Sequence, residues 1–504
     1  MQKSSEAMPH QIGRRTTLGT SLLIASKVLS RCVDLAALTV LARLLTPADF
    51  GLVAIAMSVL TIVEAVLELP ITLALLALPE RTRADFDTAF TLQLARGAVL
   101  ASILIIAAWP LAAFYHDDRL IALLCVLSLA PVSSGLVSPR MTEYAIKLDF
   151  RPMFVMEILS KLVALVFSVG AALWSGSYWS LALGTLASPL TVVAASFVFA
   201  PYFPTLTLSK WNEFSGYLRW TTLTQMLTAT NWQMDQLLLG RLVSRFELGA
   251  FSMASNLSGM PSQIFIGQTF KPLLVGFSLV RDDRRRLAQA YQKSVNSIVA
   301  VGLPLLVGMW ITAEPLIRVI LGDQWSEAAP SLQWLSLASI PYLFIGPVGP
   351  LVMTLNRPSI FFRLALSEFL LKLPLMVIGL LYYGIPGVLA VRLTTAVVMT
   401  GCSMLAVRSL IELRIRTQLL FAWRPTLSVI VMALALELMS GSVSNGHDHF
   451  QLILRLVWIS GLGAVIYGGA LYLLWFFSGR PDGIETKVME FLSSRLHSVI
   501  RYRP

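Results

Sequence analysis

The sequence predicts an all-α membrane protein with about 14 transmembrane helices. They are expected as two pseudo-symmetric six-helix lobes plus two C-terminal helices, with both termini cytoplasmic. Three observations predict this. Of 504 residues, 56% are hydrophobic and 13% charged, against about 25% charged in ordinary soluble chains. Basic residues crowd into alternate loops. A 16-residue stretch at 41–56, LARLLTPADFGLVAIA, returns without a gap at 239–254 as LGRLVSRFELGAFSMA.

A bilayer core of about 30 Å needs roughly 20 apolar residues per helix. The qualifying stretches are 17–41, 50–78, 91–115, 120–138, 153–174, 178–200, 216–240, 250–280, 294–313, 330–355, 360–382, 386–407, 425–440 and 452–477. The thirteenth is the shortest and contains Glu437. The first is interrupted by Lys27, Arg31 and Asp34 and ends at no small-residue cleavage site, so it reads as a retained helix and not a signal peptide. One set of alternate loops, from Lys3, Arg14 and Arg15 through Arg284, Arg285 and Arg286 to Arg501 and Arg503, holds most of the 39 Lys and Arg residues. The opposite set holds Arg43, Arg119, Arg241, Arg245 and Arg318. That bias places both ends in the cytoplasm. It also explains the net charge of +11 by topology and attraction to anionic lipid, not by nucleic acid.

In the repeat, Arg43 falls on Arg241, Leu44 on Leu242, Asp49 on Glu247 and Gly51 on Gly249. Each copy reads as the tight outer turn of a helical hairpin. A second echo sets Glu157 and Lys161, in EILSKLVAL, against Glu368 and Lys372, in EFLLKLPLM. A third sets Gly176 against Gly384 at the turns between helices five and six and between eleven and twelve. Duplication of this kind divides the chain into an N-terminal lobe at 1–209 (helices 1–6), a C-terminal lobe at 210–411 (helices 7–12), and an extra helix pair with a cytoplasmic tail at 412–504.

No Walker sequence, HExxH or CxxC pair occurs. Cys32, Cys125 and Cys402 stand in apolar stretches without paired spacing and are expected as buried core thiols. The five histidines fall in tails and outer loops; His447 and His449 flank Asp448 in what reads as a solvated loop and not a metal site. No catalytic residue, metal or cofactor is expected. Function must then reside in ionisable residues inside the spans, where each needs a partner or a watery cavity.

Lys27, Arg31 and Asp34 are spaced i, i+4, i+7 and line one face of the first helix. Counting from Arg43 at 1.5 Å per residue, Arg31 lies about 18 Å and Lys27 about 24 Å deep, while Glu64 and Glu68 reach about 21 and 27 Å on the second helix. Lys27 can therefore pair with either glutamate, or Lys27 and Arg31 can offer charge to an anionic ligand. Arg31 is the stronger candidate, because a guanidinium grips phosphate in a fork and keeps its proton. Glu157 with Lys161, and Glu368 with Lys372, are expected to neutralise themselves along one helix face. Asp235 either pairs near the outer turn or couples a cation or proton. Arg392 is a central candidate, whereas Arg96, Lys271 and Arg455 sit where they can snorkel. Trp174, Tyr178 and Trp179 read as an interfacial belt.

The stretches LARLLTPADFGLVAIA, WQMDQLLLGRLVSRFELGAFSMA and, at 321–337, LGDQWSEAAPSLQWLSL resemble the polysaccharide transporter branch of the multidrug/oligosaccharidyl-lipid/polysaccharide exporter superfamily, including Wzx-type and exopolysaccharide flippases. The resemblance runs from about Gly13 to Phe477. It implies transfer of an undecaprenyl-diphosphate-linked oligosaccharide, an O-antigen or exopolysaccharide repeat unit, across the bacterial cytoplasmic (inner) membrane by alternating access. It further implies a central cavity lined by cations, a location that fits Lys27 and Arg31, with Glu64 and Glu68 bearing on its net charge. Membrane lipids, a polysaccharide polymerase and a chain-length regulator are the implied partners. Two alternatives share the superfamily: a lipid II-type flippase, and a small-cation drug antiporter, which would favour an acidic cavity. A polytopic polymerase or ligase would need an ample outer loop, and the outer loops here are short.

Overall fold

The computed structural model describes residues 3–67, 71, 75, 82–147, 149–210, 219–440 and 449–480. All regular structure among them is helical. Eight of the helices are long and apolar enough to cross a membrane, or nine if one bent pair counts as a span. The protein is thus a multi-pass membrane protein. The chain divides into two compact units, 1–252 and 253–504.

The first unit opens with α1 (Lys3–Leu44) and α2 (Pro47–Val66). Then come α3 (Arg83–Tyr115), α4 (Arg119–Leu127), α5 (Leu129–Gly135), α6 (Thr142–Ile146), α7 (Arg151–Ser175), α8 (Trp179–Phe199) and α9 (Arg219–Leu242). The next helix, α10 (Arg245–Ser278), starts in this unit. α1 packs on α7, α7 on α8, and α2 on α9. The fourth expected span is not one straight helix. It breaks at Ser128, and the α4–α5 pair meets the 139–146 segment at 53°. Pro131 lacks the N–H that would bond Leu127, which weakens the helix at that break. On α7, Val166, Phe167, Leu173 and Trp174 point outward and are exposed, as lipid-facing positions must be.

The 41–56 stretch forms the end of α1, a two-residue turn and the start of α2. Thr46 caps α2: its N–H donates to Asp49 Oδ2 at 3.1 Å while its own hydroxyl oxygen accepts from the Asp49 N–H at 3.3 Å. The 239–254 copy repeats the device. Ser244 N–H donates to Glu247 Oε2 at 2.9 Å, and Glu247 N–H donates to Ser244 Oγ at 3.2 Å. The acid in each copy is therefore the reciprocal partner of a capping box. The two copies also meet. A Cβ on Gly51 would overlap the Arg245 carbonyl, and one on Gly249 would overlap the Pro47 carbonyl. Because Pro47 and Arg245 are themselves equivalent in the repeat, this is a local two-fold contact that only glycine permits.

The second unit continues α10 and adds α11 (Arg284–Ile311), α12 (Ala313–Ile320), α13 (Ala328–Ile345), α14 (Val348–Thr354), α15 (Pro358–Ile411), α16 (Ile415–Leu420), α17 (Trp423–Ser440) and α18 (His449–Phe477). α11 packs on α13 and α17 around Phe277, Tyr291, Val299, Leu303, Leu351 and Val407. α15 is two helices joined at Gly384, whose φ of 61° interrupts it where the sequence predicts a turn; its counterpart Gly176 caps α7 at φ 57°. Pro304 in α11 leaves the Ala300 carbonyl without its helical donor. Tyr467 of α18 supplies the missing bond at 2.6 Å, tying that helix to the kink. α17, the thirteenth expected span, is not among the eight apolar helices.

Candidate functional site

The charged face of α1 turns toward α7. Two small serines, Ser26 and Ser30, are buried on that seam and let α7 come close. Lys27 Nζ lies 2.7 Å from Glu157 Oε1. Ser30 Oγ donates to the same oxygen at 3.0 Å, and Ser26 Oγ to Oε2 at 3.3 Å. Further toward the Arg43 end, Lys161 Nζ lies 2.8 Å from Asp34 Oδ1. Arg31 stands between the two pairs, 3.7 Å from Asp34. No hydrogen bond to its guanidinium occurs among the described residues.

Two expectations change here. Lys27 pairs with Glu157 and not with Glu64, because the neighbour of its face is α7. Glu157 and Lys161 pair across the seam instead of with each other. Glu64 lies on α2, where Arg96 donates to its carbonyl at 2.9 Å and to that of Leu67. Arg96 thus caps the C-terminal end of α2. Glu68 lies outside the described residues, as do His447 and Asp448. Ser26 and Ser30 escaped the sequence reading. Their signal was two hydroxyls four residues apart flanking the first intramembrane cation.

The other candidates are dispersed. Asp235 is buried on α9, one turn from buried Asn231, beside a polar α2–α9 seam where Ser58 Oγ bonds Gln236 at 2.8 Å. In the second unit Arg392 reaches Ser255 Oγ at 3.4 Å. Glu368 accepts from the Tyr342 hydroxyl at 3.2 Å, and Lys372 is buried. The three cysteines are free thiols, but none is a buried core residue: Cys32 is exposed on α1, and Cys125 and Cys402 are half-buried. No cluster that could hold a metal occurs among the described residues.

A second charged cluster closes the α3–α4 and α9–α10 turns. Arg245 donates to the Gly240 carbonyl at 2.6 Å, to the Tyr115 carbonyl at 2.9 Å and to Asp117 Oδ2 at 3.3 Å. Arg119 adds two bonds to Asp117 at 2.9 Å. Burial would raise the Asp117 carboxyl, but the hydrogen bonds and charge of Arg119, with the charge of Arg245, outweigh it and hold the group below its ordinary range.

Comparison with known proteins places this arrangement. A family model described as "Polysaccharide biosynthesis protein" matches residues 40–330. The succinoglycan biosynthesis transport protein ExoT of Rhizobium meliloti (strain 1021) is 24% identical over 448 residues, 85% of this chain and 87% of the relative. The lipopolysaccharide biosynthesis protein WzxC of Escherichia coli (strain K12) is 21% identical over 438 residues, 84% of this chain and 87% of that one. Among solved structures, the lipid II flippase MurJ in an inward closed conformation superposes with a TM-score of 0.71 at 14% identity, covering 91% of this chain and 100% of that chain. An inward-facing multidrug resistance MATE transporter gives 0.60 at 12%, covering 76% and 94%. These two share the fold. With more than half of its length matched by the family model, this chain belongs to the polysaccharide biosynthesis protein family.

Proposed function

We propose that the chain is a flippase that carries an undecaprenyl-diphosphate-linked oligosaccharide, an O-antigen or exopolysaccharide repeat unit, across the bacterial cytoplasmic membrane by alternating access and without a covalent step. The observation that carries this reading is the charge balance of the α1–α7 seam. Three cations, Lys27, Arg31 and Lys161, face two carboxylates, Asp34 and Glu157, and two close pairs leave Arg31 as the surplus. An unaccompanied diphosphate in hydrocarbon faces a penalty of many kcal/mol, which a fixed guanidinium offsets by charge and by its forked hydrogen bonds. A small-cation antiporter needs the opposite sign, so the seam favours an anionic cargo. The names of ExoT and WzxC favour a polysaccharide unit over lipid II as that cargo.

Within this reading, Arg392 is a second head-group contact and Asp235 the coupling carboxylate. Polymerase and chain-length regulator are the partners that take over the exported unit. About 14 spans with both termini cytoplasmic remain the proposed topology. The proposed lobes, 1–209 and 210–411 with the pair at 412–504, follow the duplication. Packing divides the chain later because α9 lies against α2. Deleting the gene and analysing undecaprenyl-linked intermediates by mass spectrometry tests the function. Complete repeat units should accumulate facing the cytoplasm, and their absence would contradict the reading.

A further inference from the structure

Five charges stand on the α1–α7 seam, and they can pair in two ways. In the structure they pair between helices: Lys27 with Glu157 and Lys161 with Asp34, leaving Arg31 over. The alternative needs only side-chain rotation. Arg31 and Asp34 are three residues apart on one face and already approach to 3.7 Å. Glu157 and Lys161 are four apart with the acid first, the order in which such pairs form along a helix. If each helix neutralises its own charges, Lys27 becomes the surplus cation.

Two local features make that exchange feasible. Ser30 has one hydroxyl proton and three acceptors, Glu157 at 3.0 Å, the Ser26 carbonyl at 2.7 Å and the Lys27 carbonyl at 3.4 Å, so the departure of Glu157 orphans no donor there. Both ion pairs are also partly exposed, with Lys27 at 51% and Lys161 at 33% of full side-chain exposure, so neither is held by burial. We propose that the seam is a two-register charge relay in which the surplus cation passes between Arg31 and Lys27, handing an anionic diphosphate head group along α1 by about 6 Å, one helical turn. The relay rests on the flippase reading above. Glu157 and Lys161 are then positioning residues: they decide which α1 cation is available, and a phosphate bound at one of the two selects the matching register.

Two double variants of the full chain, reconstituted in proteoliposomes, test this: Lys27→Met/Glu157→Gln and Asp34→Asn/Lys161→Met. Each removes one cation and one anion, so the seam keeps its net charge and Arg31. In both, the surplus can no longer pass to position 27. With undecaprenyl diphosphate as the binding probe, Asp34→Asn/Lys161→Met, which keeps both Arg31 and Lys27, should hold affinity within about threefold of wild type. Both variants should lower transport of the lipid-linked repeat unit by roughly tenfold or more. The second variant keeps the test decisive if thermal melting shows the first to be misfolded. Wild-type transport in either folded variant overturns the relay, as does loss of probe affinity in folded Asp34→Asn/Lys161→Met. A wild-type protein that neither binds the probe nor transports would instead defeat the flippase reading itself.

Discussion

The two charged clusters of the first unit are built differently. At the α3–α4 and α9–α10 turns, Arg245 is 18% exposed and holds two backbone carbonyls and a carboxylate at once. On the α1–α7 seam, Lys27 is half exposed and touches one carboxylate, and Arg31 has a single distant contact. The same residue types thus serve as a fastener in one place and as an exchangeable set in the other. What separates them is the number of acceptors per cation and whether those acceptors are backbone, which cannot rotate away. Hydrogen bonds between membrane helices average about 0.6 kcal/mol, so a lone side-chain pair can be exchanged where a three-fold anchor cannot.

Breaking the fastener should have the largest effect on stability. Gly249→Val would drive a branched side chain into the Pro47 backbone. Overpacking against neighbours that can yield costs about 1–3 kcal/mol, and here the neighbour is backbone. Membrane fractionation should find almost no folded protein. Arg245→Ala leaves two helix-end carbonyls without their donor and Asp117 with Arg119 alone, and should lower stability by roughly 2 kcal/mol, read as a drop in melting temperature in detergent.

Acid sharpens the comparison. The folded carboxyl of Asp117 titrates below its unfolded value near about 3.9, so its contribution is complete above that pH and is lost as pH falls through the depressed value. Melting curves of wild type and Asp117→Asn should therefore differ at neutral pH and converge in strong acid. A difference that persists unchanged at low pH would remove Asp117 from the fastener. Thr46→Ala, which opens one capping box, should cost about 1 kcal/mol. The smallest stability effect belongs to the seam: Lys27→Met should shift stability by less than about 1 kcal/mol. A melting temperature as low as that of Arg245→Ala would erase the distinction between the clusters.

What could be read in the sequence follows a rule of distance along the chain. Composition and apolar length gave the membrane class, and the two copies at 41–56 and 239–254 proved to be turns that pack on each other. Gly176 and Gly384 marked real breaks, because positive φ is a local demand. Thr46 with Asp49, and Ser244 with Glu247, carried a readable capping-box signature that a reading of the acids as turn residues passed over. Partners across helices were not legible. Spacing suggested that Glu157 pairs with Lys161, and depth suggested that Lys27 pairs with Glu64 or Glu68, but depth does not say which helix is adjacent. Lys27 meets a carboxylate 130 residues away because buried Ser26 and Ser30 open the α1 face to α7. Position along its span predicts a snorkelling Arg96, whereas the side chain closes the end of α2. The sequence contained the charge and not the acceptor.

The most direct measurement concerns Arg31, the surplus cation of the seam. Cells carrying Arg31→Ala should accumulate lipid-linked repeat units on the cytoplasmic face at wild-type levels of inserted protein, while Arg31→Lys should restore part of the export. Export at the wild-type rate in Arg31→Ala would contradict the account.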